Sequence, residues 1–326
     1  MEILVVSHLY PRPENEIFGI FVHRQTRALG YRGHDIKVIS PTPYVPRLPR
    51  LPDRWKLFQE TPSRASIDGI EVTYPKYISL PSRHTFPLVA KSARLSVSRT
   101  ISTLTNEWNF TPDVINAHVP LPDAYAALPS SKQLSVPLVT TAHGSGIYQS
   151  AKNPICRRQI ETVLNQSAAI LFNSEILRST ARSYFPNLSN DHVVHNGVPD
   201  DQIKSAQEAD ISKIFPDDRL VVASVANLIE QKGHQTVIDA IEHLKPDIRP
   251  YYWIIGDGPF RESLIGQVQA NGIEDLVRFE GSVPPKEVFS LLKASDVMAL
   301  PSKDEAFGIA YIEAMACGCP VIGSKG

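Results

Sequence analysis

Short runs of apolar residues recur along the whole chain, separated by stretches in which apolar positions return every three to four residues. The runs at 3–6, 36–39, 72–74, 114–117, 138–141, 169–172 and 192–195 predict strands. The helical periodicities between them fall at 21–31, 89–107, 123–128, 158–166 and 175–184. The same rhythm resumes later, with strands at 220–225, 252–255, 277–280, 297–300 and 321–322 and helices at 234–244, 260–271, 286–293 and 310–316. Strands that are apolar throughout need cover on both faces, as in parallel sheets flanked by helices. The fold class is therefore α/β, with two doubly wound, Rossmann-like domains in succession. The turn signal Asn196-Gly197-Val198-Pro199 and the polar stretch 200–213 place the link near 197–215. An N-terminal domain at 1–200 and a C-terminal domain at 201–326 follow. Ligands of such sheets lie at the carboxyl ends of the strands, so two of them predict a site in a cleft that both face.

The stretch 41–62 breaks the rhythm, with six prolines that forbid a long helix. Arg47, Arg50, Arg54 and Lys56 are interleaved there with Leu48, Leu51, Trp55, Leu57 and Phe58. A loop of this length in an α/β domain is usually functional or mobile. Its mixture of basic and apolar residues suits docking on a membrane interface or an acceptor, with packing on its own domain as the alternative.

Composition narrows the function classes. The chain has 326 residues, 42% of them apolar and 21% charged, a globular balance. A net charge of −1 gives no bulk attraction to nucleic acid. The total conceals an asymmetry: residues 1–200 carry 21 basic and 15 acidic side chains, whereas 201–326 carry 12 and 19. The basic half is suited to an anionic surface such as a membrane or a charged acceptor. Cys156, Cys317 and Cys319 match neither a disulfide framework nor a zinc spacing, which points to free thiols in a reducing compartment. The apolar start lacks a basic n-region, and no run approaches the roughly 18 apolar residues of a membrane span. A cytoplasmic protein is expected, peripheral at the inner face of the membrane if the basic half docks there.

The chemistry concentrates in 302–320. A predicted strand ends at Leu300, a loop carries Glu305, and a helix opens near Gly308. Amides of Gly308 and Ile309 at a helix start suit phosphate oxygens. Glu305 and Glu313, eight residues apart, supply carboxylates that accept hydrogen bonds from hydroxyls. Two carboxylates would repel bare phosphate, but they suit a sugar nucleotide. Taken alone, they read equally as solvated acids.

Glu305 and Glu313, with Phe307-Gly308, Glu313-Ala314-Met315-Ala316 and Gly318 to Pro320, resemble the E-x7-E region of retaining GT-B glycosyltransferases of the family 4 type. Further matches follow in order. Ala226 to Gly233 resembles the G-R-L-x-x-x-K-G segment, Ile255-Gly256-Asp257-Gly258-Pro259 the G-x-G-P turn, and Asn196-Gly197-Val198 the element at the domain link. Thr141-Ala142-His143-Gly144 resembles the T-x-H-G loop, and Tyr10-Pro11 with Gly19 to Val22 the opening loop and first helix. The resemblance spans nearly the whole chain. It implies that Glu313 binds the donor ribose, that Glu305 holds sugar hydroxyls, and that Lys232 pairs with the diphosphate, assisted by Gly308 and Ile309 within the Phe307-Gly308 element. It implies His143 beside the donor sugar and Gly19 close to the phosphates. His8, His118 and Asn173 also follow predicted strands and are further candidates to line the cleft. Asn227 departs from the family's usual arginine, and Gly19 follows Phe18 where a glycine pair is usual.

The resemblance implies a retaining hexosyltransferase that uses a UDP- or GDP-linked sugar, needs no metal or other cofactor, and acts on a saccharide or lipid-linked acceptor, as in cell-surface polysaccharide or glycolipid synthesis. His118, Asp123 and His143 lack a defensible metal spacing. A dinucleotide-dependent oxidoreductase is disfavoured because Ser7 to Gly19 lacks a G-x-G-x-x-G cradle. A non-catalytic sugar-nucleotide binder or inactive fragment is the remaining alternative. Against the family, the C-terminal domain is expected to be truncated after the strand at 321–322, before the helices that brace the N-terminal domain.

Overall fold

Along β1 (Glu2–Val6) the side chains divide by parity, and the division sets the layers of the N-terminal unit. Leu4 and Val6 enter a cluster with Val97, Ile101, Ile115 and Ala117. Ile3 and Val5 enter another with Val22, Ile36, Val38 and Val72. A strand with both parities apolar is thus buried on both faces. Val89, Ala93, Val97, Ile101 and Leu104 form one face of the helix Phe86–Glu107 at helical spacing and cover one side of the sheet.

The computed structural model describes residues 1–46, 53–79, 86–107, 109–303 and 305–325. They form two compact units, Met1–Asn196 and Gly197–Gly326. The first contains β1, β2 (Asp35–Ile39), β3 (Thr42–Tyr44), β4 (Arg64–Ile67), β5 (Ile70–Thr73), β6 (Lys76–Ile78), β7 (Val114–His118), β8 (Leu138–Ala142), β9 (Ala169–Phe172) and β10 (Asp191–Val193). Its main sheet runs β10-β9-β8-β7-β1-β2-β5-β4, and β3 pairs separately with β6. All these pairings are parallel except β4 with β5.

The second unit contains β11 (Val221–Val225), β12 (Tyr251–Ile255), β13 (Val277–Gly281), β14 (Val297–Leu300) and β15 (Val321–Gly323), in the parallel order β13-β12-β11-β14-β15. Parity again sorts the core. Tyr252 and Ile254 pack with Ile238, Ile241 and Leu264, and Tyr251, Trp253 and Ile255 pack around Phe215.

Each predicted strand is present within two residues of its expected ends. The stretch 41–62 is a correction. It is not loop throughout, because the proline-free interval before Pro62 forms the two-turn helix Asp53–Glu60 and Thr42–Tyr44 forms β3. Lys76 Nζ donates to the carbonyls of Phe58 and Thr61 at that helix's end. Arg47, Leu48, Arg50 and Leu51 lie outside the described residues. The helix expected at 123–128 is Tyr125–Leu134 instead, preceded by a wide turn at Pro120–Ala124 and continuing through Pro129.

Candidate active site

Each sheet reverses its winding once, and ligands of such sheets gather where that happens, beyond the strand ends. In the N-terminal unit the switch lies between β1 and β7; in the C-terminal unit it lies between β11 and β14. The predicted site residues cluster at these two places.

At the N-terminal switch, β1 leads into His8, β7 ends at His118 and β8 leads into His143. His118 Nδ1 stands 2.9 Å from His143 Nε2, with the rings parallel. A hydrogen-bond chain sets the direction of this contact. Thr141 Oγ1 donates to Asn116 Oδ1 at 3.1 Å, which turns the Asn116 amide nitrogen toward His118 Nε2, 3.3 Å away. His118 therefore accepts at Nε2 and donates from Nδ1, so His143 accepts at Nε2 and carries its proton on Nδ1. That Nδ1 is buried and has no hydrogen-bond partner among the described residues. Burial lowers the pKa of His143 to about 4, with the neighbouring His8 adding to the effect. Burial, then the neighbouring His143, holds His118 well below the ordinary histidine range. Both rings are neutral at physiological pH, and His143 presents an unused N–H donor.

Phe21 packs edge-on to His143 with centroids 4.8 Å apart. It is the second residue of the helix Ile20–Tyr31, whose N-cap is Gly19 at φ 69°. A Cβ on Gly19 would stand 2.3 Å from the Leu9 carbonyl carbon. The glycine is thus required by the Leu9–Tyr10 backbone, a reason distinct from phosphate approach. Deeper in the same place, Asp123 is fully buried, and its Oδ2 accepts from His8 Nδ1 at 2.8 Å and from the His8 amide at 3.1 Å. Burial raises the Asp123 pKa while His8 opposes the shift.

At the C-terminal switch, the turn after β11 carries Lys232 and the loop after β14 carries Glu305. Lys232 Nζ and Glu305 Oε2 lie 2.6 Å apart, each side chain about a quarter exposed. The backbone holds them there: the Lys303 amide donates to the Gln231 carbonyl at 2.8 Å, and Gly233, at φ 74°, lies against Pro301. Glu305 also lies beside Gly308, with its Cγ 3.5 Å from the position a Gly308 Cβ would take. Gly308 caps the helix Ile309–Ala316, and Glu313 is buried within that helix. Tyr311 ties the helix back to the β14 end by donating to the Leu300 carbonyl. Phe307 is half-buried in the same loop.

The structure thus brings Lys232, Glu305, Gly308 and Ile309 together at one switch point, with Phe307 and Glu313 on the same loop and helix. It places Gly19 and His143 at the other, joined through Phe21. Asn227, the departure from arginine, is exposed, and its carbonyl accepts from the Ile229 amide. Two residues were missed from sequence: Asn116, which orients the histidine pair, and Asp123, which holds His8. Asn116 had a signal, since a polar residue two positions before His118 in an apolar parallel strand shares its face. Among the described residues, no group of three or more His, Cys, Asp or Glu could hold a metal ion. The three cysteines are free thiols.

Comparison with known proteins gives this geometry a context. Residues 19–202 match the family described as Glycosyltransferase Family 4, and residues 187–326 match Glycosyl transferases group 1. The chain is 27% identical over 332 residues to TuaC of Bacillus subtilis, a protein named for teichuronic acid biosynthesis, covering 99% of this chain and 80% of that one. Among solved structures, sucrose-phosphate synthase from Thermosynechococcus elongatus superposes with a TM-score of 0.77 at 17% identity, covering 99% and 81% of the two chains. HepE of Anabaena, solved with UDP-glucose, gives 0.68 at 19% identity over 100% and 81%. With family matches to both units and GT-B neighbours across the whole chain, the protein belongs to the group 1, family 4 glycosyltransferases of GT-B fold.

Proposed function

We propose that the protein is a retaining hexosyltransferase that moves a sugar from a nucleoside diphosphate donor to an acceptor hydroxyl in cell-surface polysaccharide or glycolipid synthesis. The observation that carries this reading is the Lys232–Glu305 pair, 2.6 Å apart at the C-terminal switch point beside Gly308. A diphosphate leaving group develops negative charge as the C1–O bond breaks, and a preset cation with helix-start amides stabilises it. Lys232 and the amides of Gly308 and Ile309 take that role. Because they supply the positive charge, the reaction we propose needs no metal ion. Glu305, released in part from Lys232 by the phosphates, accepts from donor sugar hydroxyls, and Glu313 accepts from the ribose. His143 contributes its Nδ1–H to a sugar oxygen. Retention follows if the acceptor oxygen bonds to C1 on the face the phosphate leaves, with the acceptor proton passing to the departing phosphate oxygen.

The names of the relatives support the pathway. TuaC is named for teichuronic acid biosynthesis, and another relative, from Mycolicibacterium smegmatis, is a GDP-mannose-dependent mannosyltransferase of phosphatidylinositol mannoside. The solved complex of HepE with UDP-glucose supports a UDP-linked donor. The test begins with thermal shifts over UDP-, GDP- and ADP-sugars and continues with donor turnover by Lys232→Ala and Glu305→Ala. Both variants are expected to lose turnover with the fold intact. Wild-type rates in both would defeat the assignment.

A further inference from the structure

The His8–Asp123 contact has the form of an oriented imidazole with no assigned use. The Nδ1–H of His8 donates to Asp123 Oδ2 at 2.8 Å, and the His8 amide donates to the same oxygen at 3.1 Å. Nε2 is then the ring's hydrogen-bond acceptor, and the His8 side chain is 28% exposed while that of Asp123 is fully buried. The second carboxylate oxygen, Oδ1, is also buried and has no hydrogen-bond partner among the described residues. Two buried polar atoms on the segments that follow the neighbouring strands β7 and β8, Asp123 Oδ1 and His143 Nδ1, thus lack partners among the described residues, where most buried polar atoms have one.

Charge decides what ligand this suits. A carboxylate directly behind His8 disfavours an anion, and with Nδ1–H given to Asp123 the other ring nitrogen, Nε2, is the position left for a ligand to donate to. The ligand group must therefore donate a hydrogen bond. His143, at the end of β8 in the same run of strands β8-β7-β1, offers the opposite function through its unpartnered Nδ1–H. A hydroxyl both donates and accepts, so a polyhydroxyl ligand satisfies the two histidines together.

We propose that His8, held in orientation by Asp123, recognises a sugar hydroxyl through Nε2. This rests on the glycosyltransferase reading. The hydroxyl comes either from the sugar of the donor or from the acceptor, and the two sources are separable.

The test uses His8→Asn, whose side-chain amide can still donate to Asp123 but which has nothing at the Nε2 position; His8→Gln, whose amide reaches that position, is the rescue variant. Affinity for UDP and for UDP-glucose, GDP-mannose and ADP-glucose is measured by calorimetry, donor hydrolysis by nucleotide release, and transfer with glycerol as an acceptor probe. If the hydroxyl belongs to the donor, His8→Asn weakens sugar-nucleotide binding about tenfold and leaves binding of the bare nucleotide unchanged, with part of the loss recovered in His8→Gln. If it belongs to the acceptor, donor binding and hydrolysis are unchanged and transfer to glycerol falls by a similar factor. Retention of all these quantities within twofold, or an equal loss for bare nucleotide and sugar nucleotide, overturns the role of His8. A wild-type protein that binds and turns over none of the donors overturns the glycosyltransferase reading itself.

Discussion

Replacing Gly233 with alanine tests whether the Lys232 turn is held by its close contact with Pro301. Gly233 is buried at φ 74°, and a Cβ there would stand 2.3 Å from the Pro301 carbonyl oxygen and 3.0 Å from its carbon. Left-handed backbone costs a non-glycine residue roughly 1–2 kcal/mol. An ordinary contact needs about 1 Å more room, so the β11 turn and the β14 loop must separate, at about 1–3 kcal/mol for overpacking. The sum is about 3 kcal/mol, or about 10 °C in the melting of the C-terminal unit. Gly272→Ala is the control, because Gly272 has φ 62° but nothing within 4 Å of its added Cβ. It carries only the backbone part, about 1 kcal/mol. Urea unfolding gives the two values, and hydrogen exchange at 229–233 and 301–305 locates the loss. Nucleotide affinity should fall in Gly233→Ala alone, because separation of the two segments pulls Lys232 from Glu305. Equal costs for the two variants, or unchanged exchange at both segments, would refute the reasoning.

Lys232→Ala and Glu305→Ala should each cost under about 1 kcal/mol of stability, as expected for a partly exposed pair; a cost of several kcal/mol would make the pair structural. Stability of the N-terminal unit should be greatest above about pH 6.5, the ordinary histidine value, and fall toward about pH 4, because unfolded chain takes up protons that buried His118 and His143 refuse. His143→Asn should flatten that slope, and an unchanged slope would contradict the assignment. Asp191 is held down to about 2 by Arg182 first and Arg178 next, so its contribution is present above about pH 4 and lost as pH falls toward 2. Asp191→Asn should cost about 2 kcal/mol at pH 7 by urea midpoint and very little at pH 2, and equal costs would refute it. The basic excess in residues 1–100, 15 basic against 8 acidic, predicts co-sedimentation with anionic vesicles that is lost at high salt; no binding at low salt would refute peripheral attachment.

What could be read from the sequence follows the range of the interactions involved. Buried parallel strands such as β12, apolar at every position, and β1, apolar at all but its first, are revealed by a local pattern. The antiparallel edge strand β4 alternates between exposed and half-buried positions, and its sequence Arg64-Ala65-Ser66-Ile67 carries almost no apolar signal. The helix Asp53–Glu60 is hidden by the prolines around it. Candidate site residues stand out in sequence where one segment holds them, as Glu305, Gly308 and Glu313 are held. The contacts that give them chemistry were not. Lys232 lies 73 residues from Glu305, and Asp123 lies 115 from His8, so only the sheet order brings either pair together.

The two switch points divide the chemistry by charge state. At the C-terminal one, Lys232 and Glu305 form a partly exposed ion pair, which suits the diphosphate recognition we propose. At the N-terminal one, burial drives His118 and His143 to the neutral form, and the chain from Thr141 through Asn116 fixes which nitrogen carries the proton. In the function we propose, a neutral, oriented N–H holds a sugar oxygen without attracting phosphate to the wrong place. Asn116 is the residue on which this depends. With leucine there, His118 could present either tautomer, and the His143 donor would lose its fixed direction. Asn116→Leu should therefore weaken sugar-nucleotide binding while bare nucleotide binding is retained, and an equal loss of both would show that Asn116 serves only the strand.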